Sequence, residues 1–362
     1  MKIFIILGTR PEIIKMSPVI RVCQKRHLNF SILHTNQHYS QNLDKVFFKE
    51  LNLPQPKYNL NVGSGTHAEQ TARILIGTEK ILIKEKPDIV LIEGDTNTVL
   101  ASALVAAKLH IKIGHIEAGL RSYDKEMPEE INRILTDHCS DLLFAPTKQA
   151  REILLKEGIP NKKIFVTGNT IVDAVFQNIK LAEKISKILK KLKLQKDQYF
   201  LMTAHRAENV DNKERLKGIL KGAEAISQNF NLPVIYPMHP RTRKMLKEFK
   251  LSVSKNIHLL EPLGYLDFLK LQKNAKLILT DSGGTQEEAC IMKIPCITLR
   301  DSTERPETLS VKSNILVGTN PQKIMKLAKK MLNFKKQWKN PFGNGAAAEK
   351  ILKVIKNSKI KN

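Results

Sequence analysis

Short continuous apolar runs recur along the chain, each followed by a stretch with helical spacing of its apolar residues. In the first half the runs are "KIFIIL" (2–7), "FSILHT" (30–35), "DIVLIEG" (88–94), "IKIGHIEA" (111–118), "DLLFAP" (141–146) and "KIFVTG" (163–168). In the second they are "YFLMTAH" (199–205), "LPVIYPM" (232–238), "NIHLLEP" (256–262), "AKLILTD" (275–281), "IPCITL" (294–299) and "NILVG" (314–318). Continuous rather than alternating apolar residues mark strands buried on both faces of a parallel sheet. Helical patterns fall at 12–26, 67–85, 97–109, 212–228 and 283–293. The alternation predicts an α/β fold of doubly wound sheets with helices on both faces.

The series divides into two halves that open alike. "IFIILGTRPE" and "YFLMTAHRAEN" each run from a strand into a loop carrying Arg or His and then Glu. We therefore expect two similar Rossmann-like domains, 1–170 and 171–344, their strand C-termini facing a shared cleft where such folds bind ligands. A long amphipathic helix over about 171–193 should open the second domain. The lysine-rich tail, 345–362, reads as a final helix that could pack on either domain.

Composition narrows the function. A chain of 362 residues, 42% of them hydrophobic, suits two domains of a globular protein. No apolar run reaches the roughly 18 residues of a membrane span, and the N-terminus reads as a first strand rather than a signal peptide. The expected location is cytoplasmic. Cys23, Cys139, Cys290 and Cys296 are scattered without a C-x-x-C pair, which supports neither a metal site nor a disulfide framework. The net charge of +25 could serve an anionic substrate, a membrane or nucleic acid. Lysines spread along helices, with aromatics at only 6%, argue for a solvated surface over a nucleic-acid face. "VGSGTHA" (62–68) fits a dinucleotide fingerprint, but it does not close the first strand of a βαβ unit, so it reads as a loop.

Candidate chemistry gathers at the strand ends. In "LTDSGGTQEEAC" (279–290) a strand gives way to Ser282, Gly283 and Gly284 at a helix start. Amides there carry partial positive charge, and glycines let a phosphate reach them. Glu287 and Glu288 lie one turn in, where a carboxylate could accept both hydroxyls of a ribose. Ser282 as an ordinary N-cap accounts for the serine and the acids but not for two glycines. Arg10 and Lys15 follow the first strand and could neutralise a diphosphate. Asp95, Glu117 and Glu129 stand at other strand and helix ends, near His115, Arg121, Glu130 and Arg133. Asp95 could instead cap a helix, and Glu129 could favour a helix dipole. Together the acids suggest proton transfer on a phosphorylated sugar. His205 and His239, each ending a strand, are further candidates for proton transfer or phosphate binding.

These segments resemble the non-hydrolysing UDP-N-acetylglucosamine 2-epimerases. "GTRPEIIK", "GDT", "GHIEAGLRS", "MPEEINR", "TGNTIVD", "AHRAEN", "PLGYLDF", "DSGGTQEEA" and "TERPET" occur in the family's order over nearly the whole chain. The resemblance implies a GT-B architecture, with the last helix returning to the first domain. It implies reversible C2 epimerisation of UDP-GlcNAc to UDP-ManNAc, through elimination of UDP to 2-acetamidoglucal and re-addition, with no cofactor and no metal. Uracil would lie near Phe268, and Glu288 would bind the ribose. Ser282, Gly283, Gly284, Arg10 and His205 would hold the diphosphate, with Lys15 and Arg305 also in the cleft. Asp95, Glu117 and Glu129 match the family's acid–base carboxylates. A homodimer is the family's usual assembly.

There are departures. The family's His-Arg-Arg-Glu-Asn reads His-Arg-Ala here, at Ala207, and its Gln-His-x-x-Gln segment survives only as Gln37, His38 and a displaced Gln41. Gln37, His38, Arg73, Arg206 and His239 are the candidates for a second, activating nucleotide-sugar site. Alternatives are a hydrolysing epimerase that releases ManNAc and UDP, a GT-B glycosyltransferase using UDP-GlcNAc, and a basic nucleic-acid-binding protein.

Overall fold

The structure, a computed structural model, describes residues 1–37 and 47–358. It divides into two compact units, Met1–Gln177 with Phe342–Asn362, and Asn178–Pro341.

The N-terminal unit is built on a seven-stranded parallel sheet of order β3-β2-β1-β4-β5-β6-β7. Its strands are β1 (Lys2–Leu7), β2 (Asn29–His34), β3 (Tyr58–Asn59), β4 (Ile89–Glu93), β5 (Lys112–Ile116), β6 (Leu142–Ala145) and β7 (Ile164–Val166). β1 and β4 are buried along nearly their whole length, as the continuous apolar runs require. Phe4, Ile6, Leu33, Val90 and Ile92 meet Leu82 and Val99 of the flanking helices in one core. The strand order reverses between β1 and β4, and the chain leaves them at Gly8 and at Gly94-Asp95. Ligands of such sheets bind outside the strand ends at this reversal.

Gly8 is required there by crowding. A Cβ on it would lie 2.1 Å from Thr98 Oγ1 and 2.8 Å from Thr35 Oγ1, two hydroxyls that themselves meet at 2.7 Å. Gly8→Ala should therefore destabilise the unit by about 1–3 kcal/mol through overpacking. Urea denaturation would register this as a lower midpoint, and an unchanged midpoint would contradict it.

The C-terminal unit holds a six-stranded parallel sheet of order β10-β9-β8-β11-β12-β13. The strands are β8 (Phe200–Thr203), β9 (Val234–Pro237), β10 (Ile257–Leu260), β11 (Leu277–Thr280), β12 (Cys296–Thr298) and β13 (Asn314–Leu316). Phe200, Met202, Tyr236 and Leu279 pack with Leu216, Ile219 and Ile324 in its core. Its order reverses between β8 and β11, so both units are doubly wound and Rossmann-like. At that reversal the hydroxyls of Thr203 and Thr280 meet at 2.6 Å and tie the two strand ends together.

One expectation is corrected. The helix expected over 171–193 ends at Ile185, and a separate short turn spans Ile188–Lys191. Ser186 interrupts it: its hydroxyl donates to Asp267 at 2.5 Å and accepts the Ile188 amide at 3.3 Å. Such local bonds compete with the helix ladder. β3 was not anticipated, because two residues at a sheet edge carry no periodicity. The tail forms the helix Ala347–Asn357, whose first amides donate to the Asp173 carboxylate at 3.1 Å. It packs on the helix Arg10–Lys25.

Candidate functional site

In the C-terminal unit, "SGG" becomes the start of the helix Gly283–Met292, with Ser282 as N-cap. The two glycines have different reasons. A Cβ on Gly284 would meet nothing within 4 Å, so this exposed position leaves the helix amides open to an approaching group. A Cβ on Gly283 would stand 3.2 Å from Glu304 Oε2. Glu304 lies among arginines, 3.1 Å from Arg300 Nη1 and 3.4 Å from Arg206 Nη2. Burial would raise its pKa, but Arg206, Arg300 and Arg305 outweigh burial and hold it low. Arg305 itself stands 2.9 Å from the buried Glu287.

Asp281, fully buried at the end of β11, organises the neighbouring loop. Its Oδ2 accepts the amides of His205 and Arg206, each at 2.9 Å, and Asn209 Nδ2 at 3.2 Å. Its Oδ1 is 3.1 Å from His205 Nδ1. Burial raises the Asp281 pKa, yet His205 and these amides prevail and depress it. Ala204 is fixed from the other side, its carbonyl accepting the hydroxyls of Tyr236 at 2.9 Å and Thr242 at 2.8 Å. His205 is thus presented with its side chain 40% accessible. The His239 ring lies 5.8 Å away, and burial first, then His205 and Arg241, lowers its pKa.

His205, His239, Phe268, Ser282 and Thr285 share a cavity of about 270 Å³ with mostly apolar neighbours. A flat heterocycle bearing an anionic group fits that lining. Phe268 lies on the helix Tyr265–Asn274, which also supplies the partners of Glu288. Tyr265 Oη donates to Glu288 at 3.0 Å and Gln272 Nε2 at 2.6 Å. Burial pushes Glu288 up to about 7, with those two donors opposing.

In the N-terminal unit the acids take distinct places. Glu117 follows β5 at φ 73, a conformation uncommon for any residue but glycine. Its Oε2 receives Lys15 Nζ at 2.6 Å and its Oε1 receives Asn169 Nδ2 at 3.0 Å. Lys15 is also 3.2 Å from Glu93 Oε1, so its ammonium stands on two carboxylates. Asp95 does not cap the next helix, whose N-cap is Thr96; it pairs with Arg133 at 2.6 Å. Glu129 is exposed on the first turn of the helix Pro128–Cys139. Its neighbour Glu130 turns inward and accepts the amides of Ser122 at 2.8 Å and Tyr123 at 2.9 Å. His115 is committed to Asp137 and the Gly94 carbonyl, and Arg121 to Asp137 and Glu157. Arg10 is exposed at its helix start, with Phe47 under its guanidinium at 5.9 Å.

Glu12 is a further buried acid at the β1–β4 reversal. It accepts the Gly8 amide at 2.5 Å and the hydroxyls of Thr96 at 2.7 Å and Thr9 at 3.1 Å, joining the two strand ends. Burial pushes it up to about 7 against those bonds.

The residues proposed for a second site divide between the units. Gln37 is buried, with its amide oxygen accepting the Thr98 hydroxyl at 2.9 Å. Its carbonyl and that of Gly63 both accept Gln70, and Arg73 donates to the Val62 carbonyl at 3.2 Å. His38 lies outside the described residues. Arg206 and His239 belong to the C-terminal unit, at Glu304 and in the cavity.

Sequence reasoning missed Glu12, Glu93, Asn169, Asp281 and Glu304 as parts of these sets. A carboxylate ending an apolar strand, as Glu93 and Asp281 do, was the available signal.

Comparison with known proteins identifies the family. The family model described as UDP-N-acetylglucosamine 2-epimerase matches residues 21–356. The UDP-N-acetylglucosamine 2-epimerase of Methanocaldococcus jannaschii is 61% identical over 98% of this chain and 99% of its own. A Pseudomonas aeruginosa protein, named UDP-2,3-diacetamido-2,3-dideoxy-D-glucuronate 2-epimerase, is 41% identical over 98% of this chain and 99% of its own. A crystal structure of the Methanocaldococcus jannaschii UDP-GlcNAc 2-epimerase in complex with UDP-GlcNAc and UDP matches with a TM-score of 0.88 at 61% identity. That match covers 98% of this chain and 99% of the other.

Proposed function

Because the chain belongs to the UDP-N-acetylglucosamine 2-epimerase family, we propose that it interconverts UDP-GlcNAc and UDP-ManNAc without releasing free sugar. The reaction runs by elimination of UDP to 2-acetamidoglucal and re-addition. The observation that carries this reading is Glu117, a nearly buried carboxylate aimed by Lys15 and Asn169 at the strand ends of a doubly wound sheet. The related proteins are named as epimerases of UDP-sugars, and a solved relative is described in complex with UDP-GlcNAc and UDP.

In this account the C-terminal unit holds UDP. Phe268 lies against the uracil and Glu288 meets the ribose hydroxyls. The amides at Gly283 and Gly284, Ser282, His205 and Arg305 take the diphosphate. These groups stabilise the charge that grows on the diphosphate as the C1–O bond breaks. The N-terminal unit supplies Glu117, Asp95 and Glu129 for proton transfer at C2. That proton is not adjacent to a carbonyl, so its removal must be coupled to departure of UDP, whose oxygen carries away the C1–O electron pair. Re-addition returns one of the three β-phosphate oxygens, made equivalent by rotation, to C1 after C2 is protonated on the opposite face. The expected setting is a cytoplasmic homodimer, which sedimentation equilibrium would test. No described helix is long and apolar enough to cross a membrane.

Bond cleavage can be tested directly with UDP-GlcNAc carrying ¹⁸O in the sugar–phosphate bridge. Elimination and re-addition scramble the label into the non-bridging oxygens of the β-phosphate, which ³¹P NMR resolves. A label that stays in the bridge while epimer accumulates would rule out elimination.

A further inference from the structure

We propose that Glu93 and Glu117 share one proton as a buried carboxyl pair spanned by Lys15, with Glu93 its protonated member and a positioning residue for Glu117. The proposal rests on the reading of Glu117 as a reacting carboxylate.

The geometry is compact. Lys15 Nζ stands 2.6 Å from Glu117 Oε2 and 3.2 Å from Glu93 Oε1, so one ammonium spans the two carboxyls. Side-chain accessibility is 1% for Glu93, 6% for Glu117 and 13% for Lys15. Two ionised carboxylates are acceptors only, so a hydrogen bond between them requires a proton on one. Charge balance agrees. One ammonium facing two carboxylates leaves a net negative charge away from water, and a single proton removes it.

The donors decide where that proton rests. Glu117 receives both Lys15 and Asn169, which favour its ionised form. Glu93 Oε1 has no well-directed donor among the described residues. Burial pushes the Glu93 carboxyl well above the ordinary carboxylate range, with Lys15 opposing and Glu117 and Glu12 adding to the push. The charged groups facing it are Lys15 and Glu12 from the helix Arg10–Lys25, and Glu117 from the end of β5. Asp95, next along its own chain, is paired with Arg133.

The pair has a task in the proposed elimination. The Glu117 carboxylate takes the C2 proton, the C2–H electron pair forms the C1–C2 double bond, and the C1–O pair leaves on UDP. Glu93 keeps its own proton throughout. Its O–H holds Glu117 ionised and in place, where a second negative charge would repel it.

The first test needs no substrate. Infrared difference spectra of wild type minus Glu93→Gln at neutral pH should show a protonated carboxylic acid that disappears as pH rises. The second is kinetic. Glu93→Gln should keep KM within about twofold and move the alkaline limb of kcat upward by about one pH unit or more, because the amide cannot ionise. Glu93→Asp should restore a titrating pair and the alkaline limb, and its own spectrum serves if the glutamine variant does not fold. Absence of the acid band, or a glutamine profile that superposes on wild type, would overturn the proposal. If the wild type does not epimerise UDP-GlcNAc, the functional reading fails while the infrared result still decides the pair.

Discussion

Glu117→Gln should lower the rate of UDP-GlcNAc epimerisation by about 10²–10⁴-fold, the usual contribution of a positioned acid–base group. Glutamine keeps the shape and can still meet Lys15 through its amide oxygen, so the unit should fold. It cannot take a proton at neutral pH. Lys15 then has Glu93 alone as an ionisable partner, and Glu93 will ionise more readily. The nucleotide contacts proposed for the C-terminal unit do not involve Glu117, so affinity for UDP should stay within about threefold of wild type. Steady-state rates and calorimetric UDP binding separate the two. A variant that retains most of its kcat would remove Glu117 from the chemistry. One that loses UDP affinity equally would make its role structural.

The second large effect is expected at Asp281. Asp281→Ala leaves the His205 and Arg206 amides without their acceptor and takes one of two acceptors from the Asn209 side chain, which keeps the Leu299 carbonyl. Leaving such donors unmet should cost about 2–4 kcal/mol. The His205 loop would lose its anchor, and UDP affinity should fall with stability. The pH dependence has a definite sign. The folded pKa of Asp281 is depressed, so its stabilisation is present above the ordinary aspartate value of 3.8 and is lost as pH falls through the folded value. The stability gap between wild type and Asp281→Asn should therefore be largest near neutral pH and shrink in acid. Urea denaturation of both proteins across pH measures it. A gap independent of pH would mean that the charge of Asp281 contributes nothing.

The two sheets could be read from the chain because their strands are buried on both faces, and a short unbroken apolar run such as "KIFIIL" leaves no polar face to turn toward water. β3 and the break at Ser186 could not. One is too short to carry a pattern, and the other is set by Asp267, 81 residues away. The same divide runs through the candidate site. Gly284 announces an open helix start by its type alone. The pairing of Lys15 with Glu117 spans 102 residues, and that of Asn169 with Glu117 spans 52. An acid after a strand reads equally well as a helix cap, and only tertiary contacts distinguish Asp95 on Arg133 from a capping aspartate. The helical position of Lys15 is visible in the chain, and its buried partners are not. Gly283 reads as an access glycine like Gly284, and its packing beside Glu304 is not visible in the chain.

The most direct measurement is proton NMR of the purified protein with UDP-GlcNAc in heavy water. The account predicts a mixture of UDP-GlcNAc and UDP-ManNAc, with deuterium at C2 of the products and no accumulation of free sugar. Free ManNAc and UDP as the main products, or a spectrum that does not change, would contradict it.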